Sequence, residues 1–186
     1  MAGLKDIRNR ITSVKSTRQI TSAMKMVSAA KLKKAQDRVI QIRPYALKLR
    51  EVLMEVSAGI GKEHGGIYIK SRKPENVLII LMASNRGLCG AFNANVCKKA
   101  VLHVKENYPT QSELGKVKFY CIGKKAVDFI KKTDFDIIGQ SNEIFENPSF
   151  ANTSLIAARM MKLFADNSYD RIDLVYNSFK NAAVHE

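Results

Sequence analysis

The feature that most constrains this chain is a stretch from Leu4 to Arg43 that contains neither glycine nor proline and consists mostly of good helix formers. Its apolar residues recur with alternating spacings of three and four, which is typical of a coiled-coil helix. We call this stripe the seam. It runs from Leu4 to Val56, and twelve of its sixteen positions are apolar. Its principal residues are Leu4, Ile7, Ile11, Val14, Leu32, Val39 and Ile42. We predict a long helix over residues 4–57, kinked at Pro44.

The seam is interrupted in its middle. Four successive seam positions are polar or charged there, namely Arg18, Thr21, Lys25 and Ser28. In the same segment Ile20, Met24 and Val27 form a second apolar stripe, about 140° around the helix from the first. We call it the off-seam stripe. Either the helix is buried on two sides, or one face pairs with a helix while the other contacts a different partner. Both interpretations require more than one neighbour.

The positive charge is concentrated in the same helix. The chain carries a net charge of +14, and residues 1–50 contribute +11 of it, from thirteen Lys and Arg against two Asp. This imbalance predicts an acidic partner, such as nucleic acid, anionic lipid or an acidic protein surface. Residues 1–44 contain no Phe, Tyr or Trp for base stacking, which argues against nucleic acid but leaves it as the alternative.

Length and cysteine content bound the architecture. A helix over 4–57 would be about 80 Å long, whereas a body of the remaining residues would be roughly 35 Å across, so we expect the helix to project. Three cysteines without metal-ligand spacing suggest a reducing compartment and no disulfide framework. No apolar run has the length of a signal-peptide core or a membrane span. We expect a soluble, cytoplasm-facing protein.

The pattern changes after a glycine-rich linker at residues 58–76. Strands and helices then alternate, which predicts a mostly parallel, Rossmann-like α/β domain over 77–186. The fold class is therefore α/β, with a long N-terminal coiled-coil helix before the domain. The predicted strands are 77–83, 118–122, 135–138 and 172–177, and the predicted helices are 91–106, 124–131 and 150–166. Ser149 is the expected cap of the last helix, and Tyr120 and Cys121 are expected in the core.

The loop Ser84–Gly90 follows a buried strand and precedes a helix, where phosphate-binding loops occur. It lacks the first glycine of the dinucleotide fingerprint and the Lys-Ser/Thr of a P-loop, so a turn that contacts a protein is favoured over a nucleotide site. An activated thiol at Cys89 beside Arg86 is a further alternative. His64, His103 and His185 are scattered among residues without metal-ligand spacing. We predict no catalytic, metal or cofactor-binding residues.

Three separated strings, MAGLKDIRNRITSVKSTRQITSAMKMVSAAKLKKAQDR, RPYA and SNRGLCGAFN, resemble the gamma-subunit family of F-type ATP synthases, and the resemblance extends to Asn177. It implies a rotor shaft without catalytic activity, turning inside a hexamer of alpha and beta subunits and coupling proton-driven rotation to ATP synthesis or hydrolysis. It also implies contacts with the epsilon subunit and with the proton-carrying membrane ring. The chain would then be a peripheral membrane protein on the cytoplasmic face of a bacterial plasma membrane.

The resemblance assigns contacts to individual positions. Met24 and Lys25 match family residues near the acidic loops of the beta subunits, and Ile20 and Val27 share their stripe. The glycine turn, Arg86, Gly87, Leu88, Cys89 and Gly90, matches the family's second contact with those loops. The basic residues Lys33, Lys34, Arg38 and Arg43 would lie nearer the membrane ring.

Family chains continue into a long C-terminal helix that pairs antiparallel with the N-terminal one, whereas this sequence ends at Glu186. We therefore expect a C-terminally truncated form. Its unpaired seam predicts self-association through the N-terminal helices, or collapse of part of that helix onto the body.

Overall fold

The computed structural model describes residues 3–59, 66–68, 72–146 and 148–181. The chain divides into two units, Met1–His64 and Gly65–Glu186. The first contains α1, a helix of 56 residues from Leu4 to Gly59 with Pro44 inside it. The helix predicted over residues 4–57 is confirmed, and it continues two residues into the expected linker, whereas the kink at Pro44 stays a prediction. Residues 60–65 and 69–71 of that linker lie outside the described part of the chain.

The second unit is an α/β domain whose elements alternate as predicted. Its strands are β1 (Val77–Met82), β2 (Val117–Ile122), β3 (Asp136–Ser141) and β4 (Arg171–Val175). Its helices are α2 (Phe92–Asn107), α3 (Pro109–Glu113), α4 (Lys124–Ile130) and α5 (Phe150–Ala165), with a 3-10 turn at Glu143–Phe145. The short α3 and the 3-10 turn were not predicted, because five and three residues are too few to show a helical period.

The four strands form one sheet in the order β3-β2-β1-β4, and each neighbouring pair is parallel. The expected Rossmann-like arrangement is therefore confirmed. The chain leaves β1 toward β2 and β3 and returns to the other side of β1 with β4. The carboxyl ends of β1 and β4 thus flank the point where the strand order reverses, which is the usual ligand or contact position in such sheets.

The continuous apolar run of β1 is explained by burial on both faces of the sheet. Ile79 and Leu81 lie in a core with α2 and α4, while Leu78 and Ile80 pack on the opposite face with Met160 of α5. Tyr120 and Cys121 are buried, as expected. The Ser149 hydroxyl accepts a hydrogen bond from the Asn152 amide at 3.3 Å, which confirms the predicted cap of α5.

No helix in the described ranges combines the length and the apolar character that crossing a bilayer requires.

Candidate functional site

Helix α1 presents apolar surface along its length. None of its residues is buried. The seam residues Leu4, Ile7, Ile11, Val14, Leu32 and Ile42 are exposed, and Val39 is half-buried. On the off-seam stripe, Ile20, Met24 and Val27 are also exposed, with 65% of Met24 accessible. Apolar surface of this extent on two sides of one helix is typical of a protein-interaction element rather than of a free surface.

Three threonines in and near the interruption of the seam form hydrogen bonds within the helix. The hydroxyls of Thr12, Thr17 and Thr21 donate to the carbonyl oxygens four residues earlier, at 3.0, 2.9 and 2.8 Å. Thr21 occupies a seam position, and its hydroxyl already has a partner within the helix. It can therefore face a dry interface without leaving an unpaired donor.

Four exposed cations of α1 have no ion-pair partner among the described residues. Lys25, Lys33, Lys34 and Arg38 are exposed, and none of these four forms an ion pair with a residue in the described part of the chain. Arg43 is exposed as well. The charges of Lys25, Lys33, Lys34 and Arg38 can steer an acidic partner toward the helix.

In the second unit, the glycine turn is organised from inside by the carboxamide of Asn93, in the first turn of α2. Its oxygen accepts from the Ser84 amide at 2.9 Å and from the Ser84 hydroxyl at 3.0 Å. Its Nδ2 donates to the Arg86 carbonyl at 3.2 Å and to the Cys89 sulfur at 3.1 Å. One side chain thus holds the backbone of the turn in place from Ser84 to Cys89.

The base of the turn is tied to the neighbouring strand connection. Asn85 donates from Nδ2 to the Asn142 carbonyl at 2.7 Å and accepts at Oδ1 from the Lys124 amide at 3.0 Å. Gly123 has φ of +103°, and a Cβ there would lie 2.0 Å from the Ala83 carbonyl oxygen. This close approach lets β1 and β2 end side by side beneath the turn.

The tip of the turn displays an apolar side chain. Leu88 has φ of +60° and is fully exposed. A non-glycine residue in the left-handed region is strained by roughly 1–2 kcal/mol, so the surrounding hydrogen bonds must hold it there. Gly90 also has positive φ, at +59°, and Gly87 is exposed. Arg86 and Cys89 are exposed beside Leu88, so the turn offers one cation, one thiol and one apolar tip.

The three cysteines have different surroundings. Burial raises the pKa of Cys97 to about 11 and that of Cys121 to about 12, so both remain protonated at neutral pH. Cys89 is exposed, and its sulfur lies 4.0 Å from the backbone carbonyl of Arg86. The structure thus shows Cys89 in contact with the Arg86 carbonyl.

One cluster of hydrogen-bonded polar side chains was not predicted from the sequence. His103 and Tyr108, from α2 and the residue after it, contact Asp173 Oδ2 on β4 at 2.9 and 2.6 Å, and Arg171 contacts Oδ1 at 2.8 Å. Burial alone would raise the pKa of Asp173, but these three hydrogen bonds outweigh it and hold that pKa below its ordinary value. Burial, reinforced by Asp173, raises the pKa of Tyr108 to about 12.

This cluster ties the sheet's edge strand to α2. No sequence spacing signals it, since His103 and Asp173 are seventy residues apart. His64 and His185 lie outside the described residues. Within the described ranges, no group of three or more His, Cys, Asp or Glu is arranged to hold a metal ion.

The amino-acid sequence matches one protein family and its curated members. A family model described as ATP synthase matches residues 3–186. The ATP synthase gamma chain of Christiangramia forsetii is 50% identical over 184 residues, and that of Flavobacterium johnsoniae is 52% identical over 185. Both alignments cover 99% of this chain but only 63% and 62% of those relatives.

Solved structures give the same fold. A chain from the central stalk and c-ring structure of the Tetrahymena thermophila mitochondrial ATP synthase matches with a TM-score of 0.67 and 23% identity, covering 90% of this chain and 69% of that one. A chain from the Euglena gracilis mitochondrial ATP synthase rotor matches with a TM-score of 0.57 and 24% identity, covering 96% of this chain and 58% of that one.

Proposed function

Because the chain belongs to the gamma-chain family of the F-type ATP synthases, we propose that it forms part of the central-stalk rotor. In this role it couples proton-driven rotation to ATP synthesis or hydrolysis in a hexamer of alpha and beta subunits. It contributes no catalytic residue and binds no cofactor. Its work is mechanical, since an asymmetric surface turning inside the hexamer presents a different contact to each catalytic site in turn. The observation that carries the proposal is the family match over residues 3–186 together with an exposed apolar helix.

Helix α1 is proposed as one strand of an antiparallel coiled-coil shaft. A second helix packed along α1 would bury ten large seam residues: Leu4, Ile7, Ile11, Val14, Leu32, Val39, Ile42, Leu49, Leu53 and Val56. At about 2 kcal/mol each, burying them would contribute up to roughly 20 kcal/mol, as an upper bound. A free energy of this size favours pairing of α1 with another helix over leaving the seam exposed to water. We therefore propose that the isolated chain self-associates through α1.

The off-seam stripe and the glycine turn are proposed as the contacts with acidic loops of the beta subunits. Met24 is exposed next to Lys25, and the apolar tip Leu88 is exposed next to Arg86. Each surface thus pairs an apolar anchor with a cation, which fits a partner loop that carries carboxylates around an apolar centre. The charges of Lys25 and Arg86 are assigned to these loops rather than to nucleic acid.

Met24→Lys tests the stripe in the assembled complex. It adds a cation at a contact whose energy changes with rotor angle, and we expect it to impair coupling between hydrolysis and proton pumping. Helicity and assembly should be unaffected, because the side chain is exposed. Proton pumping per ATP hydrolysed checks this, with the conservative Met24→Leu as the control. Unchanged coupling in normally assembled Met24→Lys would count against the contact.

The basic residues Lys33, Lys34, Arg38 and Arg43 are proposed to lie toward the proton-carrying membrane ring, with the epsilon subunit alongside the rotor. The chain would accordingly sit on the cytoplasmic face of a bacterial plasma membrane as a peripheral component.

The decisive experiment uses Cys89, which is exposed at the turn. In the assembled complex, a cysteine placed in the acidic loop of a beta subunit should form a disulfide with Cys89 under mild oxidation, because such a bond requires Cα atoms within about 7 Å. The cross-linked complex should stop hydrolysing ATP and recover on reduction. Cys89→Ser provides the matched control, since it removes the bond while preserving the size of the side chain.

Two results would contradict the proposal. One is the absence of a cross-link at every position tried along the acidic loop, in a complex that hydrolyses ATP normally. The other is a cross-linked complex that retains full coupled turnover, since rotation past the loop would then be unnecessary.

A further inference from the structure

A cavity of about 430 Å³ lies on the α5 face of the sheet, away from the glycine turn. It borders Lys116 and Lys118 at the start of β2, whereas the turn follows the end of β1. Because β1 and β2 are parallel, the cavity lies at the amino ends of the strands and the turn lies at their carboxyl ends. The cavity is therefore separate from the glycine turn and does not depend on the rotor assignment.

The lining of this cavity is strongly cationic. Lys116, Lys118 and Arg159 contribute three positive charges, and no carboxylate lines it among the residues that the structure describes. Two other cavities of this unit differ in this respect. The one between α2 and β4 contains Glu106 and Asp173, and the one beside the start of α5 contains Glu143. An anion is therefore favoured at this cavity alone of the three.

Two of the three cations are held in place. Lys118 forms an ion pair with Asp136, its register partner on β3, so part of its charge is offset and the cationic character of the lining comes mainly from Lys116 and Arg159. The Arg159 guanidinium lies over the Tyr120 ring, 5.7 Å from its centroid. Gly139 lies under the same ring, and a Cβ there would approach it to 2.7 Å. A side chain at position 139 would therefore displace the ring on which Arg159 rests.

Neutral donors and apolar surface complete the lining. Ser168 and Tyr169 contribute hydroxyl groups. Burial raises the pKa of Tyr169, while nearby Lys118 acts in the opposite direction, so the phenol is a protonated donor at neutral pH. Ile138 and Leu163 provide the apolar wall. The cavity thus has cationic, hydroxyl-bearing and apolar residues in one lining.

We propose that this cavity binds a phosphate group carried on a small organic body. A phosphate presents several acceptor oxygens, which suit the Arg and Lys donors that line this cavity. The volume exceeds that of the anion alone, so the attached group would rest against Ile138 and Leu163. Two sources share this chemistry, namely a soluble phosphate ester and the headgroup of an anionic phospholipid.

The test is a methyl NMR titration of the full chain, selectively labelled at isoleucine and leucine methyls, with glycerol 3-phosphate at constant ionic strength. Methyl spectra report on this cavity specifically, which matters because α1 will also attract anions. We expect saturable shifts at Ile138 and Leu163 and none at Ile79 on the opposite face of the sheet. Vesicles of phosphatidylglycerol, compared with phosphatidylcholine, form the second arm.

Three variants localise the binding. Arg159→Gln should weaken it at least tenfold, and Lys116→Gln, at an exposed position that serves no packing role, at least threefold. Lys162→Gln, an exposed cation on α5 that does not line the cavity, should change it less than twofold.

Saturation by glycerol 3-phosphate identifies a soluble ligand, and saturation by phosphatidylglycerol vesicles alone identifies a headgroup. Either supports the site. Shifts that chloride reproduces, or an affinity that neither Arg159→Gln nor Lys116→Gln reduces, would overturn it.

Discussion

Replacing Gly123 with alanine tests how the base of the glycine turn is built. Gly123 has φ of +103° and ψ of +140°, a region that residues with a side chain rarely adopt. A Cβ at this position would lie 2.0 Å from the Ala83 carbonyl oxygen and 2.8 Å from its carbon. The oxygen must move by more than 1 Å to reach ordinary contact, yet Ala83 is held by a 2.9 Å hydrogen bond to the Ile122 carbonyl.

The magnitude follows from two contributions. The strained backbone adds about 1–3 kcal/mol and the overpacking about 1–3 kcal/mol, so we expect a loss of about 2–6 kcal/mol. Gly115→Ala is the matched control, because Gly115 also has positive φ, at +66°, but a Cβ there meets nothing within 4 Å. It should lose about 1–2 kcal/mol through backbone strain alone. The difference between the two variants isolates the steric contact.

The assay exploits the position of the cysteines. Helix α1 contains none, while Cys97 and Cys121 are buried in the α/β unit. In a Cys89→Ser background, brief thiol labelling across a urea series therefore reports unfolding of that unit alone. For a slope of about 1.5 kcal/mol per molar, a 3 kcal/mol loss lowers the midpoint by roughly 2 M. Midpoints of Gly123→Ala and Gly115→Ala within 0.5 M of each other would refute the proposed close approach.

Three further outcomes are expected. In the native chain one thiol of three, Cys89, should react promptly with a thiol reagent, and prompt reaction of Cys97 or Cys121 would contradict their burial. Asp173→Asn should destabilise the domain by about 1–3 kcal/mol at pH 7. Because folding lowers the pKa of Asp173, the stability that its carboxylate contributes is present above the unfolded pKa near 4 and is lost as the pH falls through the folded pKa. The urea midpoints of the parent and the variant should therefore converge in acid. In the assembled complex, Arg86→Glu should weaken coupling more than Arg86→Gln, since it places like charges against an acidic loop; equal effects in a proton-pumping assay would count against an acidic partner.

The sequence by itself determined the elements whose signal is local. The seven-residue repeat and the absence of glycine predicted α1, and the apolar run at Val77–Ala83 predicted a strand buried on both faces. Ser149 marked the start of α5 because a capping hydroxyl acts within three residues. The position of the glycine turn followed from the strand before it and the helix after it. These features depend on backbone periodicities of 3.6 and 2, which a short window of residues contains.

Tertiary structure alone decided which distant groups meet. Nothing local indicates that Asn85 caps the Lys124 amide, that Gly123 must leave room for the Ala83 carbonyl, or that His103 contacts Asp173. The same holds for Lys118 and Arg159, which share a cavity only because β2 and α5 pack on one face of the sheet. The physical reason is that strand order and helix packing set these distances, and both are determined by burial of the whole core rather than by any single segment.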